Sequence, residues 1–332
     1  MSSIEVIVGH GGGVVRNRLV DTALIVLVAT VGLNTAVAEP VRWTPVREDT
    51  VRQLNSDIRQ GRLTADVGVY YPSNLDSTFV ETYPMETLIE DFKGAKEIFG
   101  AVDVQLNLLW IKTGEIDPRY FEIRANDLAG ASPGSRHVNM YVDSWRERSE
   151  ITREALEAFE SIIEKSPDNS RTVYLVVLPG VYMSFFEQLD ERTWAPRTIA
   201  TGGLSFPSYS YPDIPRRIRG VITVNKTYPE RSVIAHELGH KLINVSHEYR
   251  DVDPQHEVRA EGGLMLYGSG TEIPSGKAGR WHKERLHLSP YLYREDRTGN
   301  RQWNADYAER GHYYDPIYGN KVIHFRPTAS EE

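Results

Sequence analysis

Residues 227–247 read Thr-Tyr-Pro-Glu-Arg-Ser-Val-Ile-Ala-His-Glu-Leu-Gly-His-Lys-Leu-Ile-Asn-Val-Ser-His, and this stretch decides both fold and chemistry. Ile234, Leu238 and Leu242 recur every four residues, the apolar stripe of a helix with one face on a core. Thr227 and Glu230 have the spacing of a capping box, and Pro229 falls where a first turn tolerates its missing N–H, so a helix is predicted to start there. His236 and His240 stand one turn apart on one face, and His236 lies about 200° around the axis from Ile234. The imidazoles are therefore predicted to point away from the core stripe, into a cleft. Two imidazole nitrogens at this separation can each reach one zinc ion at about 2.0–2.1 Å, and Glu237 can act on a water at the same metal.

Upstream, strand and helix patterns interleave. A strand is predicted near Asp66–Tyr71, a helix near Met85–Phe99 and a strand near Val102–Thr113, where apolar and polar residues alternate before the run becomes wholly apolar. A second helix is predicted over about Ser144–Lys165 from Ile151, Leu156, Phe159, Ile162 and Ile163, followed by the β-rich run Thr172–Leu178. Arg197–Ile218, rich in Gly, Ser, Pro and Tyr, reads as a loop and a candidate cleft wall; Val221–Val224 reads as the strand feeding the HExxH helix. Residues 39–64 are polar and aperiodic and read as a linker or pro-segment. The implied class is α/β (α+β), a twisted mixed sheet with helices packed on it, among them the HExxH helix.

Composition narrows the function. The 332 residues are 40% hydrophobic and 25% charged, the profile of a globular chain. Net charge is 38 minus 46, or -8, with no basic cluster, so nucleic acid is not an expected partner. The absence of cysteine removes disulfides, thiolate metal sites and cysteine nucleophiles, leaving His, Asp, Glu or Tyr to hold any metal. Arg16 and Arg18 precede the apolar run Ala23–Val31, and Ala36-Val37-Ala38 supplies an A-x-A site. A signal peptide is therefore predicted over 1–38, with a secreted or periplasmic product and no stable membrane anchor after cleavage.

The segment His236–Gly268 resembles the metzincin zinc endopeptidases, whose motif is H-E-x-x-H-x-x-G-x-x-H followed by a methionine-containing turn. The resemblance implies a zincin-like fold with a smaller C-terminal lower subdomain, here about 248–332, and an upper part ending near 247. It implies one catalytic Zn²⁺ held by His236 and His240, Glu237 as general base, Met265 beneath the metal, and Tyr267 as an oxyanion donor. The implied activity is hydrolysis of a polypeptide substrate by zinc-activated water.

The third ligand departs from the family pattern. The positions of the family's glycine and third histidine are taken by Ile243 and Ser246, whereas Asn244 and His247 repeat the Gly-x-x-His spacing one residue later. Asn is the residue other than Gly that best tolerates the left-handed turn at a helix end, so His247 is the expected third ligand. The extra residue turns an α-helical exit by about 100°, which the following chain must offset. A gluzincin-like zinc hydrolase with Glu257 or Glu261 as third ligand stays open, as does a zinc-binding protein of the same fold with weak catalysis. An intact Glu237 speaks against the last, since a purely structural site needs no base.

Overall fold

The computed structural model describes residues 41–126, 151–165, 171–190, 192–206, 208, 211, 214–226, 232–244, 263–265, 272–273, 282–283, 285–306, 312–315 and 321–324. Among these, β-strands β1 (Thr44–Val46), β2 (Leu63–Pro72), β3 (Val104–Gly114), β5 (Val173–Val177), β8 (Gly203–Ser205) and β9 (Val221–Val224) form a mixed sheet in the order β1-β3-β2-β5-β9-β8. The four central strands are parallel, and β1 and β8 run antiparallel at the two ends. The N-terminal part of β2 also pairs with β10 (Leu292–Glu295), which carries β11 (Arg301–Trp303).

The period-2 alternation of the central strands assigns side chains to two cores. Val67, Val69 and Tyr71 of β2, with Val173 and Leu175 of β5, face helix α3 (Met85–Gly100) and helix α5 (Val233–Gly239). Tyr70, Tyr174 and Val176 face the opposite way, onto helix α4 (Arg153–Ile162). Helix α3, preceded by the short helix α2 (Ser77–Thr82), buries Leu88, Ile89, Phe92, Ala95 and Phe99, the spacing of one helical face. Thr152 starts α4 by accepting from the Ala155 N–H at 3.1 Å. The α/β class with packed helices is thus as expected.

Several boundaries differ from the sequence reading. Within 39–64, expected as linker or pro-segment, β1 pairs with β3 and helix α1 (Glu48–Leu54) buries Leu54 in the core. The predicted loop 197–218 contains β8 and the end of β7 (Trp194–Ala200), which pairs with β6 (Gly180–Gln188) as a long hairpin beside β4 (Glu122–Arg124). Part of the expected lower subdomain, β10 and β11, belongs to the main sheet, whereas β12 (His312–Asp315) and β13 (Lys321–His324) form a separate pair. Residues 1–38, expected as a signal peptide, lie outside the described residues. Among the described residues no helix is long and apolar enough to cross a membrane.

Candidate metal centre

Helix α5 begins at Ser232, whose Oγ accepts from the Ala235 N–H at 3.1 Å. This corrects the predicted start at Thr227, which lies with Pro229 and Glu230 outside the described residues. The cap is fixed by a distant partner: Ser232 Oγ donates to Asp91 of α3 at 2.6 Å. Burial raises the Asp91 pKa, and the hydrogen bonds from Ser232 and the Ile234 N–H partly oppose that rise.

Ile234, Leu238 and Leu242 are fully buried, as their spacing predicted. The opposite face is not an open cleft wall, however: His236, Glu237 and His240 are only 2%, 5% and 8% exposed. Two segments cover it. The first is β8, where a Cβ built on Gly203 would sit 2.8 Å from both Cγ and Oε1 of Glu237, so only glycine lets the strand lie this close to the carboxylate.

The second covering segment is Leu264-Met265. The Nδ1 of His236 lies 2.7 Å from the Leu264 carbonyl; a carbonyl only accepts, so this ring nitrogen donates. That fixes the tautomer and leaves Nε2 with a lone pair, as in a histidine whose other nitrogen binds a metal. Met265 packs on the same helix at its glycine, where a Cβ at Gly239 would lie 2.4 Å from the Met265 sulfur. Met265 thus packs against the helix that carries His236 and His240.

The two Nε2 atoms of His236 and His240 are 3.2 Å apart. A zinc ion about 2.05 Å from each would subtend an angle of ~100°, close to tetrahedral, so the separation of the two nitrogens suits a pair of zinc ligands. No group of three potential metal-ligating side chains gathers among the described residues. His247, Glu257, Glu261 and Tyr267 all lie outside them.

The helix exit departs from the α form. From His240 to Asn244 the helix is in π form, and Asn244 has φ 59°, the left-handed conformation predicted for it. A π-turn spends one more residue on a turn than an α-turn does. A π-turn there offsets the rotation of about 100° that one added residue gives an α-helical exit.

Sequence reasoning missed the groups that hold this exit. Lys241 is 1% exposed, and its ammonium donates to the carbonyls of Phe206, just after β8, and of Arg219, just before β9, the latter at 2.8 Å. Burial, aided by the Arg219 guanidinium and opposed by Glu237, pushes its pKa well below the usual lysine range. Arg285 donates to the carbonyls of Ile243 at 3.3 Å and Asn244 at 3.0 Å, capping the helix end. Arg219 is itself fixed by a two-pronged pair with the buried Asp306, at 3.1 and 2.6 Å. A lysine one residue past the second histidine was the one visible signal; nothing local marks Arg285.

No protein-family model matches this sequence, and no curated protein is significantly similar to it.

Proposed function

We propose that the protein is an exported zinc endopeptidase in which His236, His240 and His247 hold the metal and Glu237 is the general base. The observation that carries this reading is the pair of Nε2 atoms 3.2 Å apart, one of them set in the metal-binding tautomer by Leu264, with Glu237 between them in the chain. A zinc ion bound there supplies Lewis-acid polarisation of a water and of the substrate carbonyl. Glu237 accepts the proton of the attacking water and returns it to the departing amine. Its carboxylate is oriented by contact with Gly203.

The position of β8 supports a polypeptide substrate. Among the described residues it ends the strand order beside Glu237, an edge suited to an extended polypeptide held by backbone pairing. Two features support a metzincin-like rather than a gluzincin-like ligand set: the left-handed turn at Asn244 three residues before His247, and Met265 lying under the histidine-bearing helix. Tyr267 is the proposed oxyanion donor.

Glu237→Gln keeps the shape of the side chain but cannot take the proton. Casein cleavage is expected to fall by at least about 100-fold while zinc content stays at wild-type level. Equal turnover in the variant and the wild type would remove Glu237 from the reaction.

A further inference from the structure

Three consecutive side chains at the helix exit, Lys241, Leu242 and Ile243, are all buried, although they span about 200° of an α-helix. For Leu242 and Ile243 the apolar core explains this. Lys241 is held inward by the Phe206 and Arg219 carbonyls, which fixes the rotation of the chain at residue 241. Arg219 does not yield easily, since its carbonyl also accepts from Tyr291 at 3.1 Å and its guanidinium is paired to Asp306. At the other end, Arg285 grips the carbonyls of Ile243 and Asn244 and fixes where the chain leaves the helix. Both holds fall within His240–Asn244, the stretch that takes the π form.

We infer that Lys241 and Arg285 are positioning residues that hold residues 240–244 in the π form and so set the register at which the chain leaves toward the third metal ligand. The metal part of this inference rests on the proposed zinc reading; the conformational part does not. The hydrogen bonds need only N–H donors, so the role is independent of the lysine's charge state. Through Phe206 the same lysine ties the helix exit to β8, the strand that touches Glu237.

The test uses Lys241→Met and Arg285→Met in the full chain, each read in two ways. Amide hydrogen exchange of residues 241–244 in the metal-free protein reports the turn. Titration with Co²⁺ reports affinity and, by the visible absorption of the bound ion, coordination geometry. Both variants are expected to speed exchange at 241–244 at least tenfold, to weaken Co²⁺ binding by about 10–100-fold, the usual effect of losing an outer-shell support, and to alter the spectrum. A folded variant with wild-type exchange, affinity and spectrum would overturn the inference. If Lys241→Met does not fold, Arg285→Met, whose side chain is only partly buried, gives the answer alone. If the wild type binds no Co²⁺, the zinc reading fails by itself, and exchange at 241–244 still decides whether the two cations hold the turn.

Discussion

Gly239→Ala probes how tightly the Met265 segment is fitted under the histidine-bearing helix. Two effects of opposite sign compete. Alanine is worth about 1 kcal/mol more than glycine inside a helix, so without a neighbour the change would stabilise. The added methyl, however, would lie 2.4 Å from the Met265 sulfur and 3.2 Å from Leu264 Cδ2, inside the optimal separation of about 3.5–4.0 Å. Met265 and Leu264 are 2% and 1% exposed, so they have little room to move aside. Overpacking of this kind costs about 1–3 kcal/mol, and contact with two buried neighbours argues for the upper part of that range. The net expectation is a loss of about 1–2 kcal/mol, seen as a lower midpoint in reversible urea unfolding and a Tm lower by roughly 2–6 °C. Met265→Ala alone should cost about 2–5 kcal/mol, but it removes the obstacle, so adding Gly239→Ala to it should be neutral or stabilising. The two changes should thus be coupled by about 2–3 kcal/mol. Additive effects, or a single variant more stable by about 1 kcal/mol, would show that Met265 does not press on the helix.

Two further perturbations separate the parts of the site. Gly203→Ala places a methyl 2.8 Å from Glu237 Cγ and Oε1; kcat/KM for casein is expected to fall by up to about 100-fold through misplacement of the base, with zinc content unchanged, and wild-type kinetics would show that β8 does not orient Glu237. Asp91→Asn tests the buried cap: because the folded pKa of Asp91 is raised, the native state binds more protons than the unfolded one between the free-aspartate value of 3.8 and the raised value. Stability contributed by Asp91 therefore falls as pH rises through that window, and the Asn variant should lose that part of the slope in unfolding measured from acid to neutral pH. Parallel pH curves for the two proteins would be the contrary result.

The parts of this molecule legible in its sequence are those set by local periodicity. Ile234, Leu238 and Leu242 announced the helix, and Val221–Val224 was read to the residue because a short β-branched run between polar flanks has few alternatives. Asn244 was legible for a different reason: its side-chain chemistry suits the left-handed turn it makes. What stayed hidden depends on partners far along the chain. Ser232 caps the helix, and its hydroxyl is held by Asp91, 141 residues away. Strand β1 is short and exposed along most of its length, so its residues carry no alternating pattern and read as linker. The π form of 240–244 is fixed by Phe206, Arg219 and Arg285, none of which is close in sequence. The one-residue offset of Asn244-x-x-His247 from the metzincin pattern was visible, but the π form at 240–244 was not.

The most direct measurement of the zinc endopeptidase reading is a crystal structure of the protein grown with zinc, with anomalous data collected on both sides of the zinc absorption edge. One peak is expected per chain, about 2.0–2.1 Å from Nε2 of His236 and of His240 and the same distance from a nitrogen of His247, with Met265 beneath it. A peak completed by Glu257 or Glu261 would replace the metzincin-like ligand set with a gluzincin-like one, and the absence of any peak between His236 and His240 would contradict the metal centre itself.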